Sequence, residues 1–124
     1  MLIDTDVLID LNRELRQAVD FLVRIPARPM ISAITVAELY AGVRDGRERD
    51  ELDHFISRSI VIEVDAQIAE RGGLISRQYF KSHGTGFADA VIAATAQLLR
   101  ATLVTLNLRH FPMLTDVLVP YQKT

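Results

Sequence analysis

The sequence contains no cysteine, which excludes disulfides and cysteine-containing zinc sites and suits a reducing compartment. No apolar run approaches the length needed to span a bilayer, and the N-terminus has neither the basic segment nor the long apolar core of a secretory signal. The expectation is a soluble, cytoplasmic chain with no membrane partner. A basic surplus is also missing: 14 Lys and Arg against 16 Asp and Glu give a net charge of −2, which argues against non-specific coating of nucleic acid. A local basic surface stays compatible with this, because all but two of the basic residues are arginine, whose fork suits phosphate and carboxylate. A compositional habit of the source accounts for the same bias. At 124 residues the expectation is a single domain over 1–124, burying roughly two-thirds of the surface its unfolded form exposes.

Apolar periodicity predicts strands at 2–4, 30–32, 60–64 and 102–105, with a short fifth at 117–119. Helices are predicted from Asp6, with Thr5 or Asp6 as its cap, and over 14–24, 33–44, 47–58 and 88–100. Asp65 is positioned to cap one more, a long helix through Ile68, Leu74, Ile75 and Tyr79, in which Gly72-Gly73 invites a kink or a break. Strands alternating with helices indicate an α/β fold: a three-layer sandwich with a mainly parallel four- to five-stranded sheet flanked by helices. Right-handed crossovers would gather the ends of strands one and four on one rim, bringing Asp4 to the Thr105–Asn107 segment.

Against that frame three carboxylates stand out. Asp4 ends the first apolar strand, where ligands bind in an open parallel sheet. Glu38 shares a helix face with Thr35 and Gly42 through i+3 and i+4 spacing, flanked by small groups that leave it open to a ligand. Asp89 lies in the first turn of a helix so apolar, Ala90-Val91-Ile92-Ala93-Ala94-Thr95-Ala96, that a nearby charge needs a partner. Taken singly, each has an ordinary reading: a helix cap for Asp4, a surface glutamate for Glu38, a favourable helix-dipole contact for Asp89. Asn107 follows the fourth strand directly and offers a carbonyl oxygen, or is a turn residue. Thr105 donates a hydroxyl to a carboxylate, or is simply a β-branched strand residue.

Oxygen ligands with no cysteine and with the histidines His54, His83 and His110 scattered favour magnesium or manganese over zinc. Such a site lowers the pKa of a bound water and neutralises a phosphate undergoing in-line displacement, so phosphodiester hydrolysis is the reaction class expected. Gly84-Thr85-Gly86 lacks the third glycine and the preceding strand of a dinucleotide fingerprint, and there is no Walker-type loop or nucleophile elbow. Asp4-Thr5-Asp6 looks like the aspartate pair of haloacid-dehalogenase-type phosphatases, but Lys81 and Lys123 are badly placed for that chemistry.

Four segments together resemble the PIN-domain ribonucleases, and among them the VapC-type toxins of bacterial toxin–antitoxin pairs. They are Ile3-Asp4-Thr5-Asp6, Ser32-Ala33-Ile34-Thr35-Val36-Ala37-Glu38-Leu39-Tyr40-Ala41-Gly42, Ala88-Asp89-Ala90-Val91-Ile92-Ala93-Ala94-Thr95-Ala96, and Leu103-Val104-Thr105-Leu106-Asn107-Leu108-Arg109-His110-Phe111, in the right order across essentially the whole chain. The resemblance implies an endoribonuclease in which Asp4, Glu38 and Asp89 hold Mg2+ or Mn2+. Asn107 falls at a more variable fourth position where an aspartate is often found, which lowers the site's charge by one, and Asp116 in the next loop is an alternative source of that charge. Thr5, Asp6 and Thr105 would orient carboxylates and waters. The resemblance also implies a homodimer, an RNA substrate, and a cognate antitoxin that covers the active site, often with an arginine. A catalytically weak RNA- or protein-binding module of the same fold is the alternative expectation, kept by Asn107.

Overall fold

Side chains alternate across a strand, and here neighbouring residues are buried on opposite sides of one sheet. Leu2 and Leu103 pack with Ile75, Ala90, Ile92 and Ala93 on one face, while Ile3, Ile31 and Val104 pack with Val7, Leu8, Leu39 and Leu52 on the other. Each fully buried Leu or Ile contributes about 1.5–3 kcal/mol relative to exposure. The structure is a computed structural model describing residues 1–123; residue 124, the last of the expected domain span, lies outside them.

In chain order the elements are β1 (Leu2–Ile3), α1 (Thr5–Asn12), α2 (Arg16–Arg24), β2 (Met30–Ser32), α3 (Ala33–Gly42), α4 (Arg47–Ser57), β3 (Ile60–Ile62), α5 (Ala66–His83), α6 (Phe87–Leu99), β4 (Leu103–Val104), a 3-10 turn at Leu108–His110, and β5 (Val117–Leu118). The five strands run in the order β3-β2-β1-β4-β5, and every neighbouring pair is parallel. Helices α5 and α6 cover one face, with α1, α3 and α4 against the other. This is the expected three-layer α/β sandwich. No helix among the described residues is long and apolar enough to cross a membrane.

The chain winds from β1 outward to β2 and β3, then returns to place β4 on the other side of β1. The winding therefore reverses between β1 and β4, which opens a crevice at their carboxyl ends. Asp4 and Thr105 are the residues that follow those two strands.

Three expectations need correction. The first helix starts at Thr5, and Asp4 itself is its N-cap, accepting a hydrogen bond from Thr5 N at 2.8 Å. The third strand stops at Ile62 because its partner β2 ends at Ser32, paired with Ile62, and turns there into α3; Val64 has nothing left to pair with. Gly72-Gly73 does not break α5, which runs without interruption from Ala66 to His83. A Cβ at Gly72 would meet Val91 Cγ2 at 3.1 Å and the Val91 Cα and N at 3.2 and 3.3 Å, whereas at Gly73 nothing lies within 4 Å. Gly72 is there for the close approach of α5 to α6, and α6 needs that approach to bury its alanines.

The two glycines should respond oppositely to substitution. Gly73→Ala is expected to raise the melting temperature, by the roughly 0.5–1 kcal/mol of a helical Gly-to-Ala change. Gly72→Val is expected to lower it by about 5 °C or more, because backbone atoms of α6 cannot rotate away. Thermal denaturation followed by circular dichroism reads both; equal responses would contradict the packing role.

Candidate active site

The crevice is built from four chain segments. Asp4 closes β1, Thr105 follows β4, Glu38 comes from the middle of α3, and Asp89 sits in the first turn of α6. Thr105 Oγ1 donates to Asp4 Oδ2 at 2.7 Å and accepts from Asn107 N at 3.0 Å, with Asp6 Oδ2 3.3 Å away. Asp6 in turn accepts from Leu106 N at 3.0 Å and Val7 N at 2.7 Å. The expectation that Asp4 meets the Thr105–Asn107 segment holds.

A second set of contacts brings in Glu38. Thr5 Oγ1 lies 2.7 Å from Glu38 Oε1 and 3.0 Å from Thr35 Oγ1. A hydroxyl has one proton and a carboxylate can only accept, so Thr5 donates to Glu38 and takes its own hydrogen bond from Thr35. Glu38 itself is exposed, while Thr5 and Thr35 are buried beneath it. Thr35 therefore orients the glutamate rather than merely leaving it room.

Asp89 belongs to a third set. Its Oδ2 is 2.9 Å from His110 Nδ1, and the same nitrogen is 2.8 Å from Asn107 Nδ2. In the sequence His110 is only one of three scattered histidines. The signal was the Asn107-x-x-His110 spacing, since residues three apart eclipse on a 3-10 turn. Asp116 is not a substitute for an acidic fourth residue. Its carbonyl accepts from Leu103 N and its carboxylate from Thr102 Oγ1, so it sits at the amino end of β4, on the rim opposite Asp4.

Charge distribution distinguishes this crevice from the rest of the fold. Asp4 and Asp10 are both only 4% exposed. Asp10 is compensated within the chain: Lys123 Nζ lies 2.7 Å from one oxygen and Tyr121 OH donates to the other at 2.8 Å. Burial, more than that hydrogen bond, pushes the Tyr121 hydroxyl pKa well up. Asp4 has no lysine or arginine partner among the described residues, and neither do Asp6, Glu38 and Asp89, the last of which faces the His110 imidazole. Burial pushes the Asp4 carboxyl up to about 7, with the Asp6 charge adding to it and the hydrogen bonds from Thr105 and Thr5 opposing; the Asp89 charge adds a smaller upward push. Asp6 is raised too, again chiefly by burial. An anionic pocket without its own countercharge is what oxygen ligands for a hard dication require. The three contact sets are neighbours rather than one ligand shell: no three Asp, Glu or His side chains among the described residues stand close enough to hold one ion.

The PIN domain family matches residues 1–113, which include all four segments of the crevice. The chain belongs to the PIN-domain family. It is 38% identical to Ribonuclease VapC10 of Mycobacterium tuberculosis over 124 aligned residues, covering 98% of this chain and 92% of that protein. Ribonuclease VapC19 of the same organism is 45% identical over 85 residues, 68% of this chain and 67% of that protein. Among solved structures, a toxin-antitoxin complex from Klebsiella pneumoniae superposes with a TM-score of 0.84 at 32% identity, covering 98% of each chain. DNA-bound VapBC from Salmonella typhimurium gives 0.73 at 28% identity, covering 94% of this PIN chain and 92% of the other.

The elevated Asp4 carboxyl carries a pH signature. A carboxyl raised from 3.8 to about 7 on folding favours the native state most at low pH, and that contribution is lost as pH rises from about 4 through about 7. In chelator, Asp4→Asn should therefore be more stable than the wild type at pH 8 by several degrees of melting temperature, with the gap closing towards pH 4. Denaturation series at pH 4–8 read the difference; parallel pH profiles for the two proteins would contradict the burial argument.

Proposed function

We propose that this PIN-domain chain is an endoribonuclease toxin that hydrolyses RNA phosphodiester bonds with Mg2+ or Mn2+ and is neutralised by a cognate antitoxin. The observation that carries the reading is the pair of equally buried carboxylates, Asp10 compensated by Lys123 and Asp4 left without a cation at the switch point of the sheet. The ribonuclease relatives and the toxin-antitoxin neighbours support the same reading.

In this proposal Asp4, Asp89 and Glu38 hold the cation, and Asn107 stands at the fourth, neutral position. When bound, the cation supplies a water of lowered pKa and offsets charge on the phosphate. Thr105 fixes the Asp4 oxygens, Thr5 and Thr35 aim Glu38, and Asp6, anchored by Leu106 N and Val7 N, adds negative charge beside Asp4. An antitoxin arginine entering the pocket would meet uncompensated carboxylates, a charge-assisted contact. A homodimer belongs to the same proposal, supported by exposed Phe80 and Phe87 lining one groove of about 500 Å³. We place the action in the cytoplasm with the RNA, with 1–124 as a single nuclease domain.

The separation of the acidic side chains into neighbouring sets favours one rival, a catalytically weak module that binds RNA or a protein through the same fold. An RNA panel incubated with and without Mg2+ or Mn2+ separates the two. The nuclease proposal expects cation-dependent cleavage that Asp4→Ala and Asp89→Ala reduce by more than the roughly 10–100-fold that losing an outer-shell partner costs, and growth arrest on expression that Asp4→Ala relieves. Full activity in either variant, or RNA binding indifferent to chelator with no cleavage, would overturn it.

A further inference from the structure

Charge is divided unevenly along the chain and between the faces of the sheet. Residues 1–65 hold eight Lys and Arg against thirteen Asp and Glu, whereas residues 66–115 hold five against two. The arginine–carboxylate pairs lie in the first group: Arg16 with Asp20, Arg44 with Glu48, Arg47 with Glu51 and Glu14, and Arg49 with Asp45. Helices α5 and α6 and the turns that follow them carry Arg71, Arg77, Lys81, Arg100 and Arg109. None of these five has an ion-pair partner among the described residues.

Two of the five share a cleft. Arg71 and Arg100 line a cavity of about 410 Å³ together with Gln97, Met113, Leu114 and Asp116, on the rim opposite Asp4. Arg71 Nη1 donates to Gln97 Oε1 at 3.2 Å, which holds the guanidinium against α6. Asp116 is the one acidic residue of the lining, and its carboxylate is engaged by Thr102 Oγ1 at 2.9 Å. Arg100 also has an unusual backbone: it ends α6 in the left-handed region, at φ 52° and ψ 43°. Its N donates to Gln97 O at 3.2 Å, and Ala101 N donates to Ala96 O at 3.0 Å. Glycine is the usual residue at that place in a helix end, because a Cβ crowds the backbone there. The helix end would relax on losing this side chain, so the arginine is explained by what its guanidinium reaches. A favourable contact with the helix dipole accounts for one cation there and not for the pair.

We propose that the Arg71–Arg100 cleft is a phosphate-binding subsite for the RNA backbone, remote from the acidic crevice. The inference rests on the ribonuclease reading above and extends it to how the substrate is held. Guanidinium forks match phosphate oxygens, and these two give up no carboxylate partner to take them. Asp89 and Arg100 stand at the two ends of α6, about 16 Å apart along its axis at 1.5 Å per residue. An RNA of several nucleotides reaches both places, whereas a mononucleotide reaches one. A cationic anchor at that distance offsets the repulsion between the RNA phosphates and the uncompensated carboxylates of the crevice.

Fluorescence anisotropy of a labelled RNA hairpin, in chelator so that nothing is cut, tests this on the full chain. Arg71→Gln and Arg100→Gly are each expected to raise the dissociation constant about 5- to 10-fold and to lower the salt slope by about 0.7–0.9, the share of one phosphate contact. Arg100→Gly is expected to do so while melting at or above the wild-type temperature, which separates a lost contact from a lost fold. Arg49→Gln removes the same charge from an ion pair on α4 and is expected to leave the affinity nearly unchanged. Intact affinity in both cleft variants, or an equal loss in Arg49→Gln, would overturn the subsite. If the RNA affinity is intact and poly-glutamate binding is lost in the cleft variants, the cleft belongs to an acidic protein segment instead. Cleavage with Mn2+ is assayed separately: a wild type that cuts nothing, but whose hairpin affinity falls in the cleft variants, would sink the nuclease and keep the subsite. A wild type that binds no RNA would sink both.

Discussion

The hydrogen bond from Thr105 to Asp4 joins two chain segments a hundred residues apart at the place where the sheet reverses its winding. It depends on β1 and β4 being parallel neighbours, with Asp4 N also donating to Val104 O. It fixes a carboxylate in a position where water cannot solvate it. The positions of Asp6, Leu106 and Asn107 follow from that register, because each contacts either Thr105 or its neighbour. Burial and anchoring act in opposite directions on Asp4: one opposes its charge and the other supports it. A cation in the crevice would settle the contest in favour of the charge.

Packing explains how the remaining groups reach the same rim. Ser32 ends β2 and caps α3, accepting from Ile34 N at 3.1 Å, and so starts the helix that carries Glu38. Gly72 lets α5 lie close to Val91, and α6 can then place its first turn, with Asp89, beside the rim while Ala90, Ala93 and Ala94 fill the core. His110 enters on a short turn pinned by Phe111. Much of the stability thus comes from ordinary apolar burial, while the cost is concentrated at a few unpaired carboxylates, a distribution common at functional sites.

The alternation of strands and helices was legible in the sequence, and so was the meeting of Asp4 with Thr105, because a carboxylate that closes an apolar strand leaves a clear pattern; Glu38 and Asp89, one exposed and the other half-buried, stood out only by their places on α3 and α6. Other features depend on pairing that local sequence does not encode. The end of β3 is set by where β2 leaves the sheet, and the role of Gly72 by Val91 on the following helix. Asp10 reads as one more helix aspartate until Tyr121 and Lys123 return to cover it. His110 looked isolated because its partners, Asp89 and Asn107, are brought to it by α6 and the turn. Asp116 is close to them in sequence yet lies across the sheet.

The most direct measurement is the anomalous scattering of a crystal grown with Mn2+. The expected result is one strong peak in the crevice at about 2.1–2.3 Å from oxygens of both Asp4 and Asp89, with Glu38 turned towards it. A peak that avoids Asp4, or none at all with the carboxylates left in their separate hydrogen-bonded sets, would contradict the claim that this buried aspartate exists to hold a cation.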